Sequence, residues 1–577
     1  MCGIFTLLNA STDTVTTEFI LEQFNESKSR GPDNSKYNFN NDIFIGFHRL
    51  SINGLDDESN QPFKISNVEL ICNGEIYNYK NLFQYTNYKP ITNSDCEIII
   101  YLYLQYGIEY MLNLLDGVFA FVLIDHNINK IFVARDPYGV RPLYSAFNTF
   151  GVLSNTLDSE KLQNNLICFS SEIKQLIGFV EKFNDYNNSD NDSDFLIIKP
   201  VLPGEYLCLE LSENNKWYVY DKRMYNTFNL NKYILRNEDD YLEIIHTTFC
   251  NAIRKRVDVT DRPIACLLSG GLDSSIVTAL VKEYYSKELE TYSIGLEGSE
   301  DLYNARIVSQ YLGTQHTEII VSEEDFFNQI PEVIKNIESY DTTTVRASVG
   351  NYLVAKYISE NSEAKVIFNG DGSDELMGGY LYMQSAPNNL EFDRECKRLL
   401  TDIHLFDVLR SDRSISSNGL EPRTPFLDRE FVETYLSIPS EVRYKSNQIQ
   451  EKNLFRKAFD RNYLPKEILW RRKEAFSDGV SSQSRSWYTI IQEFVETQTD
   501  IKYDINVQYD HNPPKTMEQL YYRTIFEQFY PNCGYVIPYF WMPKFIEAQD
   551  SSARTLEIYK STNSTNSTNS IQQPLSS

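Results

Sequence analysis

The chain of 577 residues carries a formal net charge of −26, and 42% of its residues are hydrophobic. This length predicts two or three domains with buried cores rather than one. The acidic balance argues against a nucleic-acid-binding surface, which requires clustered Lys and Arg. No segment approaches the ~20 apolar residues of a membrane span.

The cysteines and the N-terminal segment indicate the compartment. The start of the chain lacks the basic and apolar stretches of a secretion signal. Nine cysteines are scattered along the chain, without CxxC pairs or zinc-like Cys/His spacing. We therefore expect free thiols in a cytoplasmic protein and no Cys/His metal site.

Short apolar segments typical of β-strands dominate the first 210 residues. A helix is predicted at 95–106, and the acidic, Asn-rich segment 183–194 predicts a surface loop. Strands at this density predict two packed sheets. Cys2 precedes the first strand. It is either a small buried apolar residue or a nucleophile whose own α-amine becomes its base once Met1 is removed.

From about residue 241, helical patterns alternate with short apolar strands. The pattern predicts strand 263–268, helix 272–286, strand 291–296 and helix 301–312. This alternation is typical of a parallel sheet covered by helices. The end of the chain contains the repeat "STNSTNSTNS", which predicts disorder.

The segment "LLSGGLDSS" (267–275) lies between a predicted buried strand and a helix. Glycines allow backbone N–H groups to turn toward an anion, and the helix start adds its positive dipole end. The segment lacks the lysine of a P-loop and has Asp273 instead. A carboxylate beside a phosphate requires a bridging cation, so Asp273 implies Mg²⁺. The alternative is an ordinary capped strand–helix turn.

A second strand–loop–helix, "KVIFNGDGSDELMGGY" (365–380), repeats this design with Asp374 near the helix start. Loops at the carboxyl edge of one parallel sheet converge. Asp273 and Asp374 could then hold one Mg²⁺ on a pyrophosphate, which favours AMP transfer. Taken alone, the second loop could be a solvated turn.

The motifs taken together resemble the glutamine-hydrolysing asparagine synthetases. The resemblance runs collinearly over about 2–545 and includes these segments: "MCGIF", "RGPD" (30–33), "HRLSI" (48–52), "NGEIYN" (73–78), "NSDCE" (93–97), "YDTTTVRAS" (340–348), "RTPFLD" (423–428), "EKNLFRKAF" (451–459) and "RRKEAFSDGV" (471–480). It implies an α+β N-terminal-nucleophile sandwich, the class II glutamine amidotransferase domain, followed by an α/β parallel-sheet ATP-pyrophosphatase domain. The expected boundaries are 2–210, a linker at 211–240, 241–545, and a disordered tail at 546–577.

In the first domain, the resemblance implies that Cys2 is the glutaminase nucleophile and that Asn73 and Gly74 form the oxyanion hole. Arg49 matches the clamp on the glutamine α-carboxylate, and Asp95 the partner of its α-ammonium group. The implied glutamine-binding residues are Arg49, Leu50, Ile52, Asn73, Gly74, Glu75 and Asp95. Taken singly, an ion pair, a helix N-cap and a hairpin turn would explain Arg49, Asp95 and Asn73–Gly74 equally well.

In the second domain, the resemblance implies an ATP site, an aspartate or adenylate site, and a shared Mg²⁺ site. The ATP residues are Leu268, Ser269, Gly270, Gly271, Asp273, Ser274, Ile294, Asn369 and Gly370; the adenylate residues are Thr343, Thr344 and Arg346; the metal ligands are Asp273 and Asp374. Lys452 and Asp371 match catalytic positions. The alternative for Lys452 is an ordinary exposed residue of a helix.

The second loop departs from the family pattern at two positions. The family usually reads S-G-E-G-S-D-E, whereas this chain has Asn369 for the serine and Asp371 for the glutamate. The carboxylate is retained but is shorter by one methylene, so we expect activity to survive. Asn93 stands where a glycine is common, and we expect little effect there.

The resemblance implies that ATP, aspartate and glutamine yield asparagine, glutamate, AMP and pyrophosphate. Glutamine would be hydrolysed at Cys2, and ammonia would pass internally to a β-aspartyl-AMP. Small molecules are the expected partners, with a homodimer by resemblance. Two alternatives stay open at this point: a relative that adenylates a different carboxylate, and a degenerate scaffold. The intact Cys2 and ammonia machinery disfavour the first, and the presence of Cys2, Asp273 and Asp374 disfavours the second.

Overall fold

The structure is a computed structural model. It describes residues 1–10, 15–40, 42–148, 166–187, 195–228, 230–232, 234–235, 237–444, 450–474, 476–482, 485–497, 509–556 and 559.

The N-terminal domain consists mainly of strands, as the sequence predicts. Its elements are β1 (Gly3–Leu8), α1 (Thr17–Asn25), β2 (Asn34–Asn40), β3 (Ile43–Arg49), β4 (Phe63–Ile65), β5 (Val68–Ile76), α2 (Tyr79–Gln84), α3 (Ile98–Leu114), β6 (Gly117–Asp125), β7 (Lys130–Arg135), β8 (Tyr144–Asn148), β9 (Ile167–Ser170), α4 (Lys174–Asn187), β10 (Leu196–Pro200), β11 (Glu205–Leu211) and β12 (Trp217–Met224).

These strands form two antiparallel sheets that pack face to face. The first has the order β10-β8-β9-β1-β3-β2 and the second β12-β11-β7-β6-β5-β4. Side chains from both sheets form one buried apolar cluster, with Ile4 and Phe47 from the first and Ile71 and Val122 from the second. The predicted sandwich is therefore confirmed, and β1, which follows Cys2, is a central strand.

Two expected boundaries in this half are corrected by the structure. The linker expected at 211–240 contains β12, which pairs with β11 in the second sheet. Trp217 and Val219 are buried, but the polar second half of β12 weakens the apolar strand pattern. The loop expected at 183–194 begins later, because α4 continues to Asn187; residues 188–194 lie outside the described residues.

The C-terminal domain alternates strands and helices over its first half. Its elements are α5 (Glu238–Asp258), β13 (Ile264–Leu267), α6 (Leu272–Tyr284), β14 (Glu290–Leu296), α7 (Glu300–Leu312), β15 (Gln315–Val321), α8 (Glu323–Ile337), α9 (Thr342–Asn361), β16 (Val366–Phe368), α10 (Ser373–Met377), α11 (Asn389–Asp402), α12 (Asp407–Ser416), β17 (Glu421–Arg423), α13 (Arg429–Ser437), α14 (Ser440–Arg443), α15 (Asn453–Ala458), α16 (Lys466–Leu469), α17 (Phe476–Gly479), α18 (Trp487–Thr497) and α19 (Met517–Phe529).

These strands form one parallel sheet with the order β15-β14-β13-β16-β17, which confirms the predicted α/β domain. β13 and β16 are neighbours, and Cys266 pairs with Phe368 near their carboxyl ends. The loops that follow these two strands therefore begin side by side. Among the described residues, no helix has the length and apolar character needed to cross a bilayer.

The two domains share a buried core. Leu50 and Tyr77 of the first domain belong to the same apolar cluster as Phe249 and Ile276 of the second. Buried ion pairs also cross the boundary: Arg30 lies 2.8 Å from Asp412, and both side chains are almost completely inaccessible to solvent. Such an interface fixes the relative position of the domains.

The expected disordered tail at 546–577 is wrong for its first part. Asp550 and Ser552 hydrogen-bond to Arg346 and Asp478, each at 2.8 Å, and Tyr559 donates to Glu474 at 2.6 Å. The repeat at 561–570 lies outside the described residues.

Candidate active sites

Cys2 lies where the two N-terminal sheets meet. Its backbone N–H donates to Asn73 Oδ1 on β5 at 3.1 Å, and its Sγ lies 3.6 Å from the carbonyl oxygen of Leu50, just after β3. Arg30 Nε donates to the Cys2 carbonyl at 2.9 Å. Three segments that are distant in sequence thus position this thiol.

The electrostatic surroundings of Cys2 make a base necessary. Burial raises the pKa of its thiol above the ordinary value. Met1 is 1% exposed, its α-amine donates to the Leu420 carbonyl at 3.3 Å, and burial lowers the pKa of that amine to about 6. Since the thiolate is the nucleophilic form, a proton acceptor beside Sγ is required. Removal of Met1 would place a free amine on Cys2 itself.

Asn73 and Gly74 present donors beside Cys2. Asn73 is 1% exposed, and its Nδ2 has no hydrogen-bond partner. The N–H groups of Cys72 and Ile76 point to one edge of β5, where they donate to Gln61 and Asp95. Because N–H directions alternate along a strand, the Gly74 N–H faces the same edge. A buried unpaired amide is costly unless a ligand completes it, which is the property expected of an oxyanion hole.

Two buried carboxyl groups, those of Asp95 and Glu75, lie at β5, and Glu75 is also 3.3 Å from Arg423. Asp95 accepts from the Ile76 N–H at 2.7 Å, and burial raises its pKa to about 6. Burial, together with Glu421 and Asp95, raises the pKa of Glu75 well above its usual range. A bound ammonium group would stabilise the charged form of both carboxyls.

Arg49 is turned toward its own loop. Its guanidinium donates to Asn60 Oδ1 at 2.8 Å and to the carbonyl of Asn53 at 2.9 Å. Leu50 and Ile52 are each 3% exposed. To clamp a carboxylate, Arg49 would therefore have to exchange some of these protein acceptors for the carboxylate oxygens.

The loop that follows β3 (Arg49–Gly54) is also bonded to the second domain. Asp261 accepts from the Gly54 N–H and donates its own N–H to the Ile52 carbonyl, each at 2.9 Å. Arg262 Nε donates to the Ser51 carbonyl at 2.8 Å. These contacts were not predicted from the sequence.

In the second domain, the predicted nucleotide loop turns sharply after β13. Gly270 has φ = 69°, and a Cβ there would lie 2.3 Å from the backbone of Asn304. Only glycine fits this position without strain. α6 begins at Leu272 without a side-chain cap, so its first N–H groups and positive dipole end are available to an anion.

The loops after β13 and β16 line an open cavity of about 170 Å³. A Cβ on Gly370 would lie 2.9 Å from Asp273 Cβ, so glycine permits this close approach. Predicted residues that line the cavity are Leu268, Ser269, Gly271, Asp273, Ser274, Ile294, Thr343, Thr344, Asn369, Gly370, Asp371 and Asp374. The predicted residues Gly270, Arg346 and Lys452 do not line the cavity. Gly270 allows the turn between β13 and α6 through its positive φ angle.

Two lysines join the predicted metal ligands. Lys452 Nζ lies 2.8 Å from Asp273 and 2.5 Å from Asp374, and the residue is 5% exposed, so the alternative of an exposed lysine is wrong. Lys473 lies 2.7 Å from Asp374 and lines the cavity. Burial opposes the charge on Asp374, but the two lysines hold its pKa below the usual value.

The sequence alone does not identify Lys473 as a site residue. The motif "RRKEAFSDGV" contains it, but its polar character alone did not distinguish Lys473 from its neighbours. Its pairing with Asp374 joins segments 99 positions apart.

The carboxylates of Asp273 and Asp374 suit a magnesium ion that arrives with a nucleotide. Both lie within hydrogen-bond distance of one nitrogen, Lys452 Nζ. Within the described part of the chain, no group of three or more His, Cys, Asp or Glu residues is placed to hold a metal. One or two carboxylates completed by substrate phosphates are typical of Mg²⁺ sites. The donor set therefore fits Mg²⁺.

The segment expected to contact activated aspartate divides into two parts. Thr343 and Thr344, at the start of α9, line the cavity, and Thr343 Oγ1 has no hydrogen-bond partner. Arg346 instead makes paired contacts of 2.6–2.8 Å with Glu518 and 2.8 Å with Asp550. Both terminal nitrogens of the Arg346 guanidinium are bonded to these two carboxylates. The prediction that Arg346 lies at the cavity is therefore wrong.

Comparisons with known proteins match both domains. A family model described as "Glutamine amidotransferase domain" matches residues 1–206, and one described as "Asparagine synthase" matches 245–392 and 384–544. The chain is 41% identical to the rat (Rattus norvegicus) protein named asparagine synthetase [glutamine-hydrolyzing], over 97% of this chain and 100% of that protein. The human (Homo sapiens) and chicken (Gallus gallus) proteins of that name are also 41% identical, over 97% of this chain and 99% of theirs. The chain therefore belongs to the family of glutamine-hydrolysing asparagine synthetases.

Proposed function

We propose that this chain makes asparagine from aspartate, ATP and glutamine, with glutamate, AMP and pyrophosphate as the other products. The observation that carries this proposal is the unpaired Asn73 Nδ2 beside Cys2. The same chain has a cavity suited to phosphate groups at the loops that follow β13 and β16. The first feature suits amide hydrolysis and the second suits nucleotide chemistry.

At the first site, Cys2 Sγ attacks the side-chain carbonyl carbon of glutamine while its proton passes to the Cys2 α-amine. Asn73 Nδ2 and the Gly74 N–H stabilise the oxyanion. The C–N bond then breaks, and the amine returns its proton to the departing ammonia. Water hydrolyses the thioester to glutamate.

Glutamine is held at this site through its α-carboxylate and α-ammonium groups. Arg49 binds the α-carboxylate, whereas Asp95 and Glu75 face the α-ammonium. The Leu50 carbonyl lies 3.6 Å from Cys2 Sγ, and Leu50 and Ile52 are the buried apolar residues of the same loop.

At the second site, a β-carboxylate oxygen of aspartate attacks the α-phosphorus of ATP, and pyrophosphate leaves. The N–H groups at the start of α6, from Leu272 to Ser274, hold phosphate oxygens, whereas the N–H groups of Ser269 and Gly271 donate to hydroxyl groups within the loop. Lys452 and Lys473 offset the negative charge. Mg²⁺, held by Asp273 and Asp374, would supply further positive charge. Leu268 and Ile294 provide apolar contact for adenine, while Asn369 and Gly370 complete the cavity wall.

Ammonia then attacks the β-carbonyl carbon of the adenylate, and the bond from this carbon to the AMP oxygen breaks. Asp371 accepts a proton from the nitrogen. Thr343, whose hydroxyl has no hydrogen-bond partner, can donate to the aspartyl group, whereas the Thr344 hydroxyl donates to Asp341 at 2.8 Å and Thr344 contributes to the cavity wall. The buried interface between the domains separates the ammonia path from bulk water, which would protonate ammonia.

We also propose a cytoplasmic location and a homodimer. All nine cysteines are free, which suits a reducing compartment. The homodimer rests on family resemblance alone, and light scattering on the purified protein tests it. We propose no nucleic-acid or membrane partner.

The proposal is tested with purified protein, aspartate, ATP and Mg²⁺, using either glutamine or ammonium chloride as nitrogen source. Cys2→Ala should abolish asparagine formation from glutamine and retain it from ammonium. Cys208→Ala, a buried thiol on β11, is the matched control and should leave both unchanged. If ammonium also failed to support Cys2→Ala, the two-site scheme would be wrong.

A pyrophosphate-release screen against other carboxylic acids separates this function from a relative with a different substrate. Release with another acid, and none with aspartate, would replace asparagine synthesis as the function. The absence of glutamine turnover by the wild-type protein would favour a degenerate scaffold.

A further inference from the structure

Two side chains of the second loop contact consecutive residues of α12. Asn369 Nδ2 donates to Ser411 Oγ at 2.7 Å, and Arg410 Nη2 donates to Asp371 Oδ1 at 2.9 Å. Asn369 and Asp371 are also the two positions at which the resemblance described above leads us to expect a serine and a glutamate. The two departures therefore join the loop to one turn of one helix.

Arg410 connects two acidic residues at the cavity wall. The same Nη2 lies 2.6 Å from Asp407 Oδ1, and Asp407 Oδ2 accepts from the Tyr380 hydroxyl at 3.1 Å. Tyr380 also donates to Glu375. All five residues of this cluster line the cavity, and Arg410 is 8% exposed. Since Asp371 and Asp407 repel each other in a partly buried site, Arg410 holds them at a fixed separation.

The length of Asp371 makes this contact important. An aspartate carboxylate reaches about one C–C bond, ~1.5 Å, less far than a glutamate carboxylate from the same backbone. A misplacement of about 1 Å in a reacting group costs about 10²-fold in rate. A shortened proton acceptor therefore depends on a loop and a partner that hold it in place.

We propose that Arg410 is a positioning residue for Asp371, and that Ser411 fixes the same loop through Asn369. This inference rests on the proposed function of the cavity. Arg410 acts through the carboxylate that accepts the ammonia proton as the C–N bond forms and the bond to AMP breaks. Activation of aspartate, which precedes that step, does not require the contact.

The test compares two reactions in the full-length protein. Aspartate-dependent exchange of pyrophosphate into ATP reports adenylate formation, and asparagine formation from ammonium chloride reports the complete reaction. Arg410→Ala should lower kcat for asparagine about 10- to 100-fold, whereas exchange and the KM values for ATP and aspartate stay within about threefold. Arg410→Lys should recover part of the loss because it keeps the charge. Arg394→Ala, at an exposed arginine of α11, is the control and should behave as wild type.

A double-mutant cycle separates positioning from a structural role. If Arg410 acts through Asp371, Arg410→Ala should cause no further loss in an Asp371→Ala background. Additive losses, equal losses of exchange and synthesis, or no loss in Arg410→Ala would each overturn the proposal. Should Arg410→Ala fail to fold, Ser411→Ala removes only the Asn369 contact and must show the same selective loss. A wild-type protein without either reaction would refute the proposed function itself.

Discussion

Replacement of Asn73 tests whether its unpaired amide is an oxyanion donor. In the resting enzyme its Oδ1 accepts one hydrogen bond, from the Cys2 N–H at 3.1 Å, and its Nδ2 makes none. Asn73→Ala loses a contact worth about 1 kcal/mol net and also removes the cost of an unpaired buried donor, so the change in unfolding free energy should be about 1 kcal/mol or less. In the transition state, loss of an oxyanion donor costs about 2.7–4 kcal/mol, or 10²–10³ in kcat.

Asn73→Asp is the matched variant, because it keeps an oxygen for the Cys2 N–H and loses the donor. Glutamate release from glutamine should fall at least about 10²-fold in both variants. Asparagine formation from ammonium should stay at the wild-type rate, since the second site does not use Asn73. The assays are glutamate release, ammonium-supported synthesis and a thermal unfolding scan. If Asn73→Asp kept more than about a tenth of the glutaminase rate, the donor argument would be refuted, and orientation of Cys2 through Oδ1 would be the role of Asn73.

Three further predictions concern other parts of the chain. A glycine inserted between Met1 and Cys2 should abolish glutamate release and leave ammonium-supported synthesis intact, because Cys2 would have no free α-amine. Intact-protein mass spectrometry confirms the new terminus. Retained glutaminase activity would contradict the mechanism. Burial raises the pKa of Asp95 to about 6, so its negative charge is present above that pH and lost below it. Because this charge would bind the α-ammonium group, the KM for glutamine should rise as the pH falls through about 6. Asp95→Asn, the control, should show a high KM at every pH. Arg346→Ala removes the guanidinium that neutralises the carboxylates of Glu518 and Asp550 and should lower the unfolding free energy by about 3–5 kcal/mol. An unchanged denaturation midpoint would show that these ion pairs add little.

The sequence was informative where function rests on short contiguous segments. Gly270 and Gly271 determine the backbone of the nucleotide loop within a few residues, and the apolar alternation around β13 and β14 predicts those strands to within one or two positions. Cys2 could be identified because its role depends on its place in the chain and on neighbours that occur as recognisable motifs.

Contacts between distant segments were not predictable in this way. Arg346 lies within a family motif, yet its partners are 172 and 204 positions away. The carboxylates that take up its guanidinium carry no local pattern that marks them as partners. Lys473 was missed for the same reason, since only the folded chain brings it to Asp374. The packed segment after residue 545 shows that a polar tail can be ordered by a few ion pairs.

The bonds from Asp261 and Arg262 to the Arg49–Gly54 loop have a thermodynamic consequence under the proposed function. Arg262 lies two positions before β13, and β13 leads into the nucleotide loop, so one short backbone segment would connect the proposed glutamine and ATP sites. If ATP tightens the binding of glutamine by restraining this segment, glutamine must tighten the binding of ATP by the same factor. The reciprocity applies to affinities and not to rates. If this coupling exists, each substrate acts as an effector of the other's binding, and no regulatory site beyond the two substrate sites is needed.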